Sequence, residues 1–320
     1  MVLERETKME DVKQGKILNI AYSGVEGAFA NIAAKNIFPD MNMVACSDFS
    51  EAYESVVNDT CDFAVLPIEN SYAGEVGHVM DLMFSGNLNV VGIYYLRVTH
   101  NLLAIKGAKI EDIKTVISHP QALEQCRGYI KEHGFEKIQA KNTAYSAKQV
   151  SEKGDKSLAA IASAETALLY DLEVLDYKIN ESDDNTTRFA VLSKKKTAHF
   201  SDEGVYIGES NKDTATLSSN ADYILKNENP GHRNNGNNMF ILMFTVKHEA
   251  GALAKAIAAI GDEGFNMKAL RSRPLKGLAW QYYFYVEAEG TPDDNRGKSM
   301  LKELSKHCLM YKVLGTYRAD

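Results

Sequence analysis

At 320 residues the chain has room for about two domains of ~150 residues each, and its 45% hydrophobic, 25% charged composition excludes general disorder and collagen-like repeats. Its 36 basic and 43 acidic side chains give a formal net charge of −7, which disfavours non-specific nucleic-acid binding, because that relies on a basic surface to neutralise phosphates. No run approaches the ~18 apolar residues of a membrane span, so neither a nucleic-acid nor a membrane partner is expected.

The chain opens with a leader, residues 1–16, too charged for the apolar core of a secretory signal, and a cytoplasmic location is expected. Ile17 to Ala21 reads as a strand, and Tyr22-Ser23-Gly24-Val25-Glu26-Gly27 turns it into a segment starting near Ala28. Asp48 and Glu51 form a capping box ahead of Ala52, Tyr53, Val56 and Val57, which share one helical face. Phe63 to Pro67 is the next strand, Val76, Val79, Met80 and Met83 have helical spacing, and Val90 to Val98 returns to strand. Thr115 to Ile117 runs into Ser118-His119-Pro120-Gln121, where Ser118 caps a helix that continues to His133 and stops at Gly134. Ala159 to Ile161 is another strand, Ser163 starts a helix through Tyr170, and Arg188 to Leu192 is a further strand. The alternation predicts an α/β architecture with a largely parallel or mixed sheet. Cys46, Cys61, Cys126 and Cys308 lie too far apart for a zinc ribbon or a dithiol pair and read as reduced, mostly core thiols.

Residues 193–238 change character, passing from a lysine run to NENPGHRNNGNN, and read as an extended linker. Beyond it, Phe240 to Val246 is strand, Gly251 to Ile260 helix, Asn266 to Arg273 strand, Gln281 to Glu287 strand, Leu301 to His307 helix and Tyr311 to Thr316 strand. This β-α-β-β-α-β order is that of a ferredoxin-like module. Tyr282, Tyr283, Phe284 and Tyr285 supply apolar faces, either for the module's own helices or for a second subunit.

Three polar segments interrupt the apolar ones: Pro67-Ile68-Glu69-Asn70-Ser71, Ser118-His119-Pro120-Gln121 and Asn185-Thr186-Thr187-Arg188-Phe189. Each sits beside a strand end, where open α/β sheets expose ligand-binding groups, although the same residue types also serve as caps and turn formers. Glu69 reads either as a ligand-binding group or as a cap for its neighbours, Arg188 suits pairing with a structural carboxylate, and His119 reads as a cap-region residue. No cluster has metal-ligand spacing, and neither metal nor cofactor is expected.

Taken in order, these segments, with Gly74, Asp81-Leu82, Ala122-Leu123 and Gln125-Cys126, resemble the prephenate dehydratase family. Gly251-Ala252-Leu253 and Ser272-Arg273-Pro274 resemble the phenylalanine-binding ACT domain that usually follows it. The resemblance implies two periplasmic-binding-protein-like lobes around a cleft. Lobe 1 would take about residues 17–96 and 175–192 and lobe 2 about 97–174, followed by a 193–238 linker and an ACT-like regulatory domain over 239–320. It also implies conversion of prephenate to phenylpyruvate, water and carbon dioxide in phenylalanine biosynthesis, with no cofactor. Thr187 would assist departure of the ring hydroxyl, while Asn70 and Gln121 would fix the substrate through neutral amides. Ser71, Glu69, Gly24, Gly27 and Ser118 are further substrate-binding candidates. Gly251, Ala252, Leu253, Arg271, Ser272, Arg273 and Pro274 are candidates for holding a phenylalanine effector, and a homodimer or homotetramer is the implied assembly. Arogenate dehydration, which yields phenylalanine directly, and a non-catalytic small-molecule sensor are the competing readings. Two departures stand out. Gly24-Val25-Glu26-Gly27-Ala28-Phe29 lacks the proline and threonine of the family's turn, and Arg271 replaces a glutamate, which reverses the charge where an effector ammonium would sit.

Overall fold

The computed structural model describes residues 17–182, 184–195, 198–201, 204–207 and 238–318; the leader and most of the expected linker lie outside them. The first sheet and its helices comprise β1 (Asn19–Ser23), α1 (Phe29–Ile37), β2 (Asn42–Cys46), α2 (Phe49–Val57), β3 (Phe63–Asn70), β4 (Gly74–Glu75), α3 (Gly77–Ser85) and β5 (Asn89–Arg97). The second comprises β6 (Asn101–Ile105), β7 (Thr115–Ser118), α4 (Pro120–Gln125), α5 (Arg127–Glu132), β8 (Glu136–Gln139), α6 (Thr143–Lys153), β9 (Leu158–Ala162), α7 (Ala164–Leu169) and β10 (Leu172–Asp176). Strand β11 (Thr186–Ser193) then returns to the first sheet, and β12 (Ala198–Ser201) pairs with β13 (Gly204–Ile207).

Both large sheets are mixed. The first runs β2-β1-β3-β11-β5 with β4 added to β3; β1 is parallel to β2 and β3, and β11 is antiparallel to both neighbours. The second runs β10-β6-β9-β7-β8, with β7 parallel to β8 and β9. The unbroken apolar run at the start of β3 follows from burial on both faces. Phe63 and Val65 join the core under α1, whereas Ala64, Leu66 and Ile68 join the opposite core with Val79, Met80 and Met83 of α3. No helix among the described residues is long and apolar enough to cross a membrane.

Several local expectations are corrected by contacts distant in sequence. The helix expected to run to His133 breaks at Cys126, because the Gln125 carbonyl accepts the Glu181 N–H and the Glu181 carboxylate takes the Gly128 N–H at 2.7 Å. His119 replaces Ser118 as the cap: its Nδ1 accepts the Gln121 N–H, while the Ser118 hydroxyl is drawn to the Ile161 carbonyl at 2.6 Å. Asp48 caps α2 as expected, but Glu51 returns to Ser47 rather than to the cap residue.

The C-terminal module comprises β14 (Asn238–Val246), α8 (Ala252–Asp262), β15 (Met267–Pro274), β16 (Tyr282–Glu289), α9 (Asn295–Leu304) and β17 (Cys308–Arg318). Helix α9 begins well before the expected Leu301, because Asp294 caps it through the Gly297 N–H at 2.6 Å. The sheet is antiparallel throughout, in the order β15-β16-β14-β17.

Strand alternation gives this sheet two apolar faces. Phe240, Leu242 and Phe244 meet Ala256, Ile260, Met300 and Leu304 of the module's own helices. Ile241, Met243, Tyr283, Tyr285 and Leu314 instead join the core of the first sheet beside Met80, Leu88, Val90 and Leu192. The tyrosines of β16 thus pack against the two-lobed unit: Tyr283 stacks on Phe84 with ring centroids 4.3 Å apart. Full burial of each such Ile, Met or Leu contributes about 1.5–3 kcal/mol. At Gly315 the approach is so close that a Cβ would lie 1.9 Å from the Val90 carbonyl oxygen.

Candidate active site

The chain crosses between the two large sheets after β5 and again before β11, and the crossings frame a cleft. Its cavity, of about 280 Å³, is lined by Asn70, Asn185 and Thr187 from the first sheet and by His119, Gln121 and Gln125 from the α4 region of the second. Phe29, Phe49, Val98 and His100 add to the wall, and Lys141, Asn142 and Thr143 close it at the start of α6.

Strands β3 and β11 place Asn70 opposite Thr187. The Asn70 Oδ1 accepts the backbone N–H groups of Tyr72 at 3.1 Å and Ala73 at 2.9 Å, and the Gln121 Nε2 at 3.0 Å. Backbone N–H groups only donate, so this fixes which way the amide faces. Its Nδ2 therefore donates to the Asn185 Oδ1 at 2.8 Å and to the Thr187 Oγ1 at 2.9 Å. The Thr187 oxygen is thus an acceptor towards Asn70 and retains its own proton for another partner.

The same logic extends inward. The Asn185 Nδ2 donates to the Gln125 Oε1 at 3.0 Å, so that oxygen also accepts from the His100 Nε2 at 2.7 Å. His100 carries its proton on Nε2, leaving Nδ1 as a bare acceptor; this atom and the Gln125 Nε2 are buried without a hydrogen-bond partner. Burial pushes the pKa of His100 down, against the Gln125 hydrogen bond, and burial lowers that of His119 as well. Both imidazoles are therefore neutral at pH 7, and the described residues lining the cavity include one lysine, the exposed Lys141, no arginine and no carboxylate.

Three sequence candidates, Asn70, Gln121 and Thr187, thus converge from separate segments on one hydrogen-bonded group. The other candidates lie around it. Ser71 donates to the Asp184 carbonyl and accepts the Thr186 N–H, tying the turn after β3 to the second crossing. Gly24 donates to the Cys46 carbonyl. Gly27 accepts the Thr166 hydroxyl at 3.1 Å, and Tyr170 reaches the Glu26 carbonyl, so this turn bridges the two lobes. Ser118 is spent on Ile161. Glu69 points to the opposite face of the sheet from Asn70, as adjacent strand residues must, and pairs there with Arg188 at 2.9 Å.

The effector candidates are divided in the same way. Gly251, with φ of 81°, opens α8 together with Ala252 and Leu253. On β15, Arg271 and Arg273 face the two-lobed unit while Ser272 and Pro274 are exposed. Arg273 reaches Glu75 at 2.6 Å and Asp81 at 3.2 Å, and Arg271 pairs with Glu69. The sequence reading gave no site role to Gln125 or Asn185, although both lie in motifs it singled out, and it passed over His100, Lys141 and Asn142. Their signals were present: Thr99-His100-Asn101 is a polar triplet between apolar strands, and Asn142 caps α6 through the Tyr145 N–H at 2.7 Å. No group of three or more His, Cys, Asp or Glu among the described residues is arranged to hold a metal.

The family model described as prephenate dehydratase matches residues 20–197, which take in the whole amide chain and, apart from Asn19, both large sheets. The chain belongs to the prephenate dehydratase family. Arogenate dehydratase/prephenate dehydratase 2 of Arabidopsis thaliana is 32% identical over 322 residues, covering 97% of this chain and 75% of that protein. A bifunctional N-acyl-homoserine lactone acylase/prephenate dehydratase of Komagataeibacter europaeus is 31% identical over 301 residues, covering 94% of this chain and 96% of that one. Among solved structures, the prephenate dehydratase of Arthrobacter aurescens in complex with L-Phe matches with a TM-score of 0.78 at 24% identity. That likeness in fold covers 94% of this chain and 90% of the other, and so extends beyond the family match into the C-terminal module.

Proposed function

We propose that the protein is a prephenate dehydratase whose Thr187 donates to the departing ring hydroxyl. One observation carries this reading: the fixed Asn70 amide occupies the Thr187 oxygen as an acceptor and leaves its proton available at the cavity wall. In the reaction the bond from the ring to its carboxylate breaks and releases carbon dioxide. The electron pair completes the aromatic ring, and the hydroxyl leaves with one proton from solvent as water. A hydrogen bond from Thr187 to that oxygen strengthens as negative charge develops on it. Gln121, bonded like Thr187 to Asn70 and lining the same cavity, offers a neutral contact, which avoids holding the departing carboxylate in its ground state.

The charge of the cavity favours prephenate over arogenate. Lys141 attracts the side-chain carboxylate common to both, but the arogenate ammonium meets this cation and finds no carboxylate among the described lining residues. The element order of the C-terminal module supports an ACT-like regulatory role; to it we add phenylalanine as effector at the start of α8 and β15, and a cytoplasmic homodimer or homotetramer as the assembly. Incubation of purified protein with each substrate, following phenylpyruvate and phenylalanine, tests the assignment. The expected result is a kcat/KM for prephenate above that for arogenate, with prephenate turnover inhibited by phenylalanine. Preferred arogenate turnover overturns the substrate choice, and prephenate binding without turnover points to a sensor.

A further inference from the structure

We infer that Glu287, on the C-terminal module, is a positioning residue for the Thr187–Asn70 pair and acts through Arg188; the inference rests on the dehydratase reading of the cleft. Thr187 and Arg188 are adjacent on β11, and Asn70 and Glu69 are adjacent on β3, with Thr187 paired to Asn70 and Arg188 to Glu69. Alternation sends the first pair into the cleft and the second to the module. Immediately after these pairs the register slips, because Phe189 faces Pro67 and Ile68 is an extra residue. Such a bulge re-aims the residues beyond it, so the ladder upstream does not by itself set where Asn70 meets Thr187.

The back face supplies the missing constraint. The Arg188 Nη2 donates to both Glu287 oxygens, at 2.9 and 2.8 Å, and its Nη1 donates to Glu69 at 2.9 Å. Arg271 pairs with the other Glu69 oxygen, and the hydroxyls of Tyr285 and Tyr317 donate to Glu287. Two guanidiniums and two carboxylates thus balance in formal charge, and the module contributes one of each. Only 4% of the Glu287 side chain and 14% of the Arg188 side chain is exposed, so little water is at hand to take over these contacts. Without Glu287, Arg188 keeps Glu69 and only a long contact to the Tyr317 hydroxyl at 3.5 Å, and the strand end that carries Thr187 loses its ionic tie to the module.

The test is steady-state kinetics on the full chain with Glu287→Gln, alone and in a Thr187→Ala background. Misplacing a reacting group by about an ångström is enough to cost ~10²-fold, so the single variant is expected to lose at least about tenfold in kcat. KM for prephenate should stay within about twofold of wild type. In the Thr187→Ala background the same change should alter kcat by less than about twofold, because the residue it positions is absent. An equal fractional loss in both backgrounds overturns the inference. Should Glu287→Gln fail to fold, Arg271→Met removes the more accessible partner, and its smaller kcat loss must likewise vanish in the Thr187→Ala background. The Thr187 methyl resonance, assigned by its disappearance in Thr187→Ala, reports position without turnover. It should shift in Glu287→Gln or Arg271→Met, and an unmoved resonance overturns the inference. A shifted resonance in a protein whose wild type does not turn over prephenate overturns the dehydratase reading alone.

Discussion

The two faces of the β3–β11 strand pair are built from opposite chemistry one residue apart. Towards the cleft, Asn70 and Thr187 belong to a chain of neutral amides and hydroxyls that runs back to His100. Towards the module, Glu69 and Arg188 belong to an ionic group shared with Glu287 and Arg271. The difference teaches where fixed charge is useful. In the cleft a carboxylate must leave as carbon dioxide, and a strong cation there would stabilise the ground state. On the back face nothing reacts, and charge-assisted hydrogen bonds from one guanidinium to two carboxylates can fix geometry without interfering with the chemistry.

The largest expected effect separates the two faces directly. Thr187→Ala should lower kcat by about 10²- to 10⁴-fold with little change in urea midpoint, since a partly exposed hydroxyl is lost from the wall; steady-state rates beside an unfolding titration check this. Next comes the back face. Glu287→Leu should destabilise the protein by about 3–5 kcal/mol, because it leaves the Arg188 charge buried with one partner fewer. Adding Arg188→Met should recover most of that loss, since apolar replacements of a buried ion pair are often neutral. Activity is expected to stay low in the double variant, because stability is restored without the directional contacts. Recovery of kcat together with the urea midpoint would erase the distinction between the faces. A smaller effect is expected at the cleft mouth. Lys141→Met should raise the KM for prephenate and narrow its advantage over arogenate by about 1 kcal/mol or less, as suits an exposed charge, and competition between the two substrates measures it.

Much of this was legible in the sequence. The βα alternation and the β-α-β-β-α-β order follow from apolar runs and caps, and three motif residues, Asn70, Gln121 and Thr187, meet in one cleft. The remainder depends on contacts that local pattern does not encode. Which face Glu69 takes depends on the register slip beside Pro67. The break at Cys126 is set by Glu181, from the second crossing. Arg271 reads as a reversed charge in an effector site, yet its partner is Glu69, 202 residues earlier in the chain. His100 gains its place in the site only through Gln125, 25 residues later in the chain.

The smallest effect is thermodynamic and distinguishes the faces by pH. His100 is 2% exposed, and burial holds its pKa below the ordinary 6.5 despite the Gln125 hydrogen bond. The unfolded chain therefore binds more protons than the native one below pH 6.5, and stability should begin to fall as pH drops through that value. His119, also lowered by burial, shares this window. Glu287 titrates in another. Burial raises its carboxyl pKa, but the charge and hydrogen bonds of Arg188, with those of Tyr285 and Tyr317, outweigh burial and hold it below the ordinary 4.5. Its contribution is present above pH 4.5 and lost as pH falls below it. Urea midpoints measured from pH 8 to pH 3 should thus decline in two stages, the first belonging to the cleft face and the second to the module face. His100→Gln, which keeps a donor for Gln125, should flatten the first stage and spare the second, and Glu287→Gln should do the reverse. A first stage unchanged in the histidine variant would show that the buried imidazole is not what makes the cleft face sensitive to acid.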